Sequence, residues 1–163
     1  MIQKVVNPND IEITVKLAHK IWNQHYVAII GQKQVDYMLD KFQSIKAIQS
    51  QINNGYEYFL ILNDKKAIGY LCLIADKASR KLMISKIYTE KEARGSGFGL
   101  KMIAFAKKIA HEKDLETIWL TVNKYNSNAI AWYEKLHFEI VKEVKTAIGN
   151  NYVMDDFVLE LPI

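Results

Sequence analysis

The sequence predicts a single α/β domain over residues 1–163, in which helices flank a mixed and mostly antiparallel sheet. The chain of 163 residues has the usual size of one domain with one core. Apolar residues recur at helical spacing over residues 11–52 and again over residues 100–110. Short aliphatic and aromatic runs between turn residues predict strands. One of these runs is joined to the next through a helix, which is typical of a parallel pair.

The first third of the chain is predicted to be mainly helical. A strand over residues 2–6 ends at Asn7-Pro8, a capping side chain followed by proline, which indicates the start of a helix. The apolar positions of that helix are Ile11, Val15, Ala18 and Trp22. Two more helices are expected over residues 35–42 and 45–52, and the second should end at residues 53–55.

The middle and last thirds alternate between strands and helices. Residues 56–62 and 66–75 read as a hairpin, and residues 81–89 as a third strand beside it. A polar, glycine-rich stretch then leads into a helix and into a strand over residues 118–122, which should lie parallel to the third strand. A short helix over residues 128–136 precedes two strands, 138–147 and 152–161, joined at residues 148–151.

Composition excludes several classes of partner. The 22 Lys and Arg against 18 Asp and Glu give a net charge of +4, spread along the chain, so no nucleic-acid partner is expected. The single cysteine, Cys72, lies in an apolar run and is expected to be a buried hydrophobe. No signal peptide and no run of about 18 apolar residues is present. We therefore expect a cytoplasmic protein with no membrane partner.

The chemistry centres on glycines at positions 95, 97 and 99, between the third strand and the following helix. Glycines let backbone N–H groups converge on an anion at the positive end of a helix, and Arg94 can add a charged contact. The spacing fits neither the dinucleotide fingerprint nor the Walker A pattern. A simpler alternative is a glycine-rich turn that permits close packing between helix and strand.

Two motifs together resemble the signatures of the GNAT superfamily of N-acetyltransferases. The first is Ile87-Tyr88-Thr89 followed by Arg94-Gly95-Ser96-Gly97-Phe98-Gly99-Leu100, and the second is Asn126, Ala129 and Tyr133 before Phe138. The order of the predicted elements agrees as well, so the resemblance spans essentially the whole chain. His137 stands where the superfamily usually has glycine, so either a permissive backbone position is lost or a titratable group is gained.

This resemblance implies a GNAT-like sheet whose central parallel pair is splayed to admit acetyl-CoA. Pantetheine would pair with backbone at the end of the third strand, and pyrophosphate would rest on amides of the glycine loop. Asn126 would either cap the next helix or bind the pantetheine arm. The implied cofactor-binding residues are Ile87, Tyr88, Thr89, Arg94, Gly95, Ser96, Gly97, Phe98, Gly99, Leu100, Asn126 and Tyr133.

Tyr133 is the predicted general acid. A phenol with a pKa near 10 stays protonated at neutral pH and can protonate the departing thiolate of coenzyme A. A half-buried helix aromatic is the alternative. A non-catalytic domain that only binds acyl-CoA would not need this residue, so its presence favours an enzyme that acetylates a primary amine of a small molecule or peptide by direct transfer.

The base that deprotonates the acceptor is less clear from sequence. Many relatives place Glu on the strand before the glycine loop, where this chain has Ser85 and Lys86. Strand alternation puts Asp155 on an apolar face, which would raise its pKa as a base requires. Alternatively Asp155 and Asp156 accept backbone hydrogen bonds, and a bulge would exchange their faces.

His25 is the second candidate base. It shares a helical surface with Trp22 and Tyr26, which suggests either acceptor contacts or simple core packing. The predicted substrate-binding residues are Trp22, His25, Tyr26 and Asp155. No His, Cys or carboxylate pair has metal spacing, so no metal is expected.

The closer resemblance is to small bacterial members akin to polyamine acetyltransferases. It rests on residues 22–42 and 85–88. The net charge of +4 and the missing strand Glu argue against a polyamine, whereas Asp155, Asp156 and Glu160 could form a local acidic patch. The identity of the amine, and whether the protein forms a homodimer, stay open.

Overall fold

The computed structural model describes residues 1–163 and contains six α-helices and seven strands. The helices are α1 (Pro8–His25), α2 (Val27–Ile30), α3 (Gln32–Phe42), α4 (Ile45–Asn53), α5 (Phe98–Glu112) and α6 (Ser127–Lys135). The strands are β1 (Ile2–Lys4), β2 (Glu57–Asn63), β3 (Lys66–Asp76), β4 (Lys81–Thr89), β5 (Thr117–Asn123), β6 (Glu139–Gly149) and β7 (Tyr152–Pro162). They form one sheet in the order β1-β2-β3-β4-β5-β7-β6.

The predicted α/β class with a mixed, mostly antiparallel sheet and one parallel pair is confirmed. The parallel pair is β4 with β5, as the strand, helix and strand order indicates. The chain groups into two compact units, Met1–Ile74 with Ser85–Phe105 and Ala75–Ile84 with Ala106–Ile163. The boundaries between the units fall inside β3, inside β4 and inside α5. The expectation of one domain over residues 1–163 stays a prediction.

In the first unit, local signals in the sequence set where α1 begins. The Asn7 side chain accepts a hydrogen bond from the Asp10 backbone N–H at 2.9 Å, and Pro8 occupies the first turn. The buried face of α1 includes the predicted Ile11, Ala18 and Trp22. The short helix α2 was not predicted, because four residues are too few to show a helical period.

The hairpin of β2 and β3 completes the sheet of the first unit. Asp64 and Lys65 at its tip have φ values of 47° and 69°, as a two-residue hairpin turn requires. Further along β3, a Cβ at Gly69 would lie only 2.4 Å from the Tyr88 carbonyl oxygen. Glycine at this position therefore lets β3 lie close to the end of β4.

In the second unit, β7 lies between β5 and β6. The hairpin of β6 and β7 turns at Asn150 and Asn151, with φ values of 52° and 61°. At the other end of the unit, β4 and β5 pair from Lys81 with Thr117 to Met83 with Trp119. Lys81 also forms an ion pair with Glu160 of β7, which ties the start of β4 to this unit.

Candidate functional site

The glycine loop of the first unit opens the way into α5. One 3₁₀ turn, Lys91–Ala93, follows β4, and Gly95 and Gly97 then take φ values of 79° and 83°. A Cβ at either glycine would meet nothing within 4 Å. Backbone conformation, not close packing, therefore requires glycine here, which favours the anion cradle over the packing turn.

The start of α5 presents unpaired donors. The first helical hydrogen bond runs from the Lys101 N–H to the Gly97 carbonyl at 3.2 Å, so the N–H groups of Phe98, Gly99 and Leu100 have no partner within the helix. The side chain of Arg94 is exposed beside them. Converging amides, the positive end of a helix and a guanidinium form a donor set that fits the diphosphate of coenzyme A.

A buried carboxylate anchors the start of the loop. Glu90 is 5% exposed, and its oxygens lie 3.1 Å from Lys20 Nζ and 3.5 Å from Lys66 Nζ. Its backbone N–H donates to the Ile68 carbonyl at 2.8 Å. Glu90 thus fixes the chain just beyond β4 against α1 and β3. This role was not predicted, because an isolated Glu after a strand gives no signal in the sequence.

Three predicted acceptor residues lie together and are joined by a residue of β4. The rings of Trp22 and Tyr26 have centroids 4.4 Å apart, and His25 contacts Tyr26 edge-on at 4.8 Å. The Tyr88 ring lies 5.8 Å from Trp22 and 6.1 Å from Tyr26. Trp22 is buried, whereas the other three are half-buried. This aromatic cluster is a partly open wall beside the end of β4.

Buried polar groups lie beneath the aromatic cluster. The Tyr70 phenol donates to Gln43, and burial raises its pKa well above the ordinary value. The Trp22 Nε1–H is close to this phenol but lacks hydrogen-bond geometry. Burial raises the pKa of Cys72 to about 11. A thiol that stays protonated at neutral pH is a poor nucleophile, as expected for a buried hydrophobe.

Lys86 is the unexpected member of the β4 strand. It is 9% exposed, and its Nζ lies 5.3 Å from the centroid of the Tyr58 ring. Burial lowers its pKa. Lys86 shares the buried face of β4 with Leu82 and Ile84, so the alternation of the strand could have predicted its burial. From the sequence, Lys86 was noted only because it is not a carboxylate.

In the second unit, Asn126 and Tyr133 lie at opposite ends of α6. Asn126 is the N-terminal cap residue and is 5% exposed, yet its side chain makes no capping hydrogen bond. The Asn126 side chain therefore does not cap α6, and its role toward pantetheine stays a prediction. Tyr133 is 7% exposed, and its ring packs edge-on against Phe138 with centroids 5.5 Å apart.

The two aspartates of β7 differ from the sequence expectation. Asp155 Oδ1 lies 2.9 Å from Lys124 Nζ, and its strand neighbour Val153 is 50% exposed. Asp156 is 4% exposed, and burial, together with the charge of Asp155, raises its pKa to about 6. The buried carboxylate is thus Asp156, because the apolar face predicted around Asp155 opens at this end of the strand. A base role for Asp155 stays a prediction.

His137 keeps the backbone conformation that glycine favours. Its φ is 70°, so the left-handed position is retained in spite of the side chain. No group of three or more His, Cys, Asp or Glu residues has a geometry that holds a metal ion. None of the helices combines the length and the hydropathy that a membrane-spanning helix requires.

Comparisons with known proteins agree with these features. Residues 17–138 match the family model of the acetyltransferase (GNAT) family. The PaiA N-acetyltransferase of Thermoplasma acidophilum, solved in complex with coenzyme A, has a TM-score of 0.78 at 21% identity, covering 100% of this chain and 99% of that chain. A probable acetyltransferase from Staphylococcus epidermidis gives 0.79 at 18% identity, covering 99% and 98%. The ribosomal-protein-alanine N-acetyltransferase of Brucella melitensis gives 0.73 at 14%, covering 100% and 99%. At these identities the likeness shows the fold.

Proposed function

This chain belongs to the acetyltransferase (GNAT) family and is an N-acetyltransferase that uses acetyl-CoA, and we propose that it acetylates a primary amine of a small molecule or peptide by direct transfer. The observation that carries the proposal is the glycine loop. Positive φ values at Gly95 and Gly97 and the unpaired amides that begin α5 make a cradle for a diphosphate.

The cofactor role of each residue follows from the kind of group it offers. Ile87, Tyr88 and Thr89 offer strand backbone to the amides of pantetheine, and Arg94 through Leu100 offer amides and a guanidinium to the phosphates. The Asn126 side chain makes no capping bond and offers an amide to the pantetheine arm. Bound acetyl-CoA supplies an electrophilic thioester carbonyl and a thiolate leaving group.

Tyr133 is proposed as the general acid for the departing thiolate. Its ring is held by Phe138 and is buried, so the phenol has a fixed position, as proton transfer requires. For the base, His25 and Asp155 are the candidates predicted from the sequence. Asp155 forms an ion pair with Lys124, with Oδ1 2.9 Å from Nζ.

The acceptor is proposed to bind against the aromatic cluster of Trp22, His25, Tyr26 and Tyr88. Aromatic rings bind a cationic amine through their faces and bury its apolar part. The net charge of +4 and the lack of a carboxylate on the strand before the glycine loop disfavour acceptors with several positive charges, so a single amine fits better than a polyamine. We propose a cytoplasmic location, because the lone cysteine permits no intrachain disulfide.

Calorimetry with acetyl-CoA, ATP and NAD tests the cofactor assignment. We expect acetyl-CoA to bind and ATP and NAD not to bind. Arg94→Ala should weaken the binding of acetyl-CoA about 10–150-fold, because a charge-assisted hydrogen bond contributes about 1.5–3 kcal/mol. Arg80→Ala is the matched control, since Arg80 pairs with Glu116 at 2.6 Å on the surface. Binding of ATP or NAD without acetyl-CoA would overturn the assignment.

Release of the coenzyme A thiol tests the acceptor class. Polyamines, amino acids, aminoglycosides and peptides with free N-termini are each incubated with the enzyme and acetyl-CoA, and a reaction without acceptor measures hydrolysis. We expect acceptor-dependent release with one class. Release that no amine accelerates would contradict amine acetylation.

A further inference from the structure

The reaction needs a group that takes a proton from the acceptor ammonium. The Glu that many relatives carry before the glycine loop is absent, and of the two neighbouring carboxyls in β7, Asp155 and Asp156, burial raises the pKa of Asp156. The two members of that pair are not equivalent. Their surroundings decide which of them can accept a proton near neutral pH.

Lys124 forms ion pairs with Asp155 and Glu143, and none with Asp156. Its Nζ lies 2.9 Å from Asp155 and 3.2 Å from Glu143 of β6, and its backbone N–H donates to the Asp155 carbonyl at 3.1 Å. Asp155 also stands opposite Lys145 in the β6 register. Asp155 thus has a cationic partner in an ion pair.

Asp156 is buried without such compensation. It is 4% exposed, and neither an ion pair nor a side-chain hydrogen bond reaches its carboxyl. Its direct neighbours in the sheet are Asn123 of β5 and Val144 of β6, and neither carries a charge. A buried carboxyl without a cation favours its protonated form, so burial and the adjacent Asp155 set its pKa at about 6.

The strand register also brings this carboxyl to the end of β5 from which the general acid follows. Asp156 pairs with Asn123, the last residue of β5. Helix α6 begins four residues later at Ser127 and carries Tyr133. Asn123 in turn accepts a hydrogen bond from the Tyr125 N–H at 2.9 Å, which fixes this connection. Asp156 therefore pairs with the last residue of β5, and Tyr133 lies on the helix that follows β5 in the chain.

We propose that Asp156 is the general base that takes the proton from the acceptor ammonium, an inference that rests on the proposed amine acetylation. One proton passes from the ammonium to the Asp156 carboxylate, and the freed nitrogen lone pair forms the new N–C bond to the thioester carbonyl. The C–S bond breaks with its electron pair on sulfur, which takes a proton from Tyr133. The second nitrogen proton returns to Tyr133, and Asp156 releases its proton to water.

The test compares two acceptors that differ in whether a proton must be removed before the nitrogen can attack the thioester. One is the fastest amine of the thiol-release panel, which is an ammonium at neutral pH, and the other is hydroxylamine, which is uncharged there. For Asp156→Asn we expect kcat/KM to fall about 10²–10⁴-fold with the amine and less than 5-fold with hydroxylamine. The wild-type kcat/KM for the amine should fall below about pH 6, and this limb should disappear in the variant.

Three further variants keep the result interpretable. Asp156→Glu retains a carboxyl and should restore part of the activity with the amine, whereas Glu143→Gln removes a carboxylate of the same cluster, 65% exposed, and should stay within 3-fold of wild type. Asp155→Asn is the competing variant. Thermal unfolding and acetyl-CoA binding confirm that each variant is folded.

The outcomes separate the base from the overall function. Three results would each overturn the assignment of Asp156. They are an Asp156→Asn variant with the kcat/KM of wild type, equal losses of kcat/KM with the amine and with hydroxylamine, and an acidic limb that disappears only in Asp155→Asn. A wild-type enzyme whose thiol release no amine accelerates would instead refute the proposed function. A loss of kcat/KM with the amine but not with hydroxylamine supports both the assignment of Asp156 and the proposed function.

Discussion

Replacing Gly69 by alanine should disturb the end of β4 by steric contact alone. The new Cβ would lie 2.4 Å from the Tyr88 carbonyl oxygen and 3.1 and 3.2 Å from Cγ2 and Cα of Thr89. Reaching even 3.0 Å, below which Cβ contacts essentially do not occur, requires a movement of at least 0.6 Å, which is 3.0 minus 2.4. Backbone atoms form this contact, so no side-chain rotation relieves it.

The expected cost is that of overpacking a tight interior, about 1–3 kcal/mol. For a chain of this length, each kcal/mol lowers the melting temperature by about 2–4 °C, so Gly69→Ala should melt about 2–12 °C below wild type. The displaced residues, Tyr88 and Thr89, are also proposed to bind pantetheine through their backbone. Loss of one such hydrogen bond, about 1 kcal/mol, raises KM for acetyl-CoA about 5-fold.

Gly55→Ala is the matched control. Gly55 has a φ of 94° and nothing within 4 Å of a Cβ, so alanine there introduces conformational strain without a clash. Differential scanning calorimetry and steady-state kinetics measure both variants. We expect both to melt earlier and only Gly69→Ala to raise KM for acetyl-CoA. A Gly69→Ala protein with the melting temperature and KM of wild type would refute the steric reasoning.

Two other substitutions test the second unit. Tyr133→Phe keeps the ring contact with Phe138 but removes the proton, so kcat should fall about 10²–10⁴-fold while the calorimetric affinity for acetyl-CoA is retained; an unchanged kcat would remove Tyr133 from the mechanism. His137→Gly relieves a positive φ of 70° and should raise the free energy of unfolding by up to about 1 kcal/mol in chemical denaturation. His111→Gly, in the last turn of α5, should lower the free energy of unfolding by a similar amount. Stabilisation by His111→Gly together with destabilisation by His137→Gly would contradict the backbone argument.

Local signals in the sequence predicted most elements of the fold. Asn7 and Pro8 set the start of α1, the turn residues at 63–65 and 148–151 set two hairpins, and the strand, glycine loop and helix order set the parallel pair. Each of these features depends on residues close together in the chain, and this is why single-sequence reasoning could find them. The short α2 and the position of β7 between β5 and β6 depend on packing, which leaves no local pattern.

In the candidate site too, local features could be predicted from the sequence and features that depend on packing could not. Glycine is required at Gly95 and Gly97 because the backbone there is left-handed, so the phosphate loop is a local property and could be predicted. The acid–base assignment was not local. Alternation in β7 predicted correctly that Asp155 and Asp156 face opposite ways, but only the neighbouring strands decide which face is buried and where Lys124 lies.

The sequence by itself determined the family, the donor and the order of the elements, because these depend on short motifs and on periodicity. The tertiary structure decided the environments of individual side chains. These are the ion pairs of Glu90 with two lysines, the packing of Tyr88 against Trp22, and the burial of Asp156 without a cation. Solvation and charge at a residue depend on groups distant in the chain, and the pKa of a carboxyl is set by those groups.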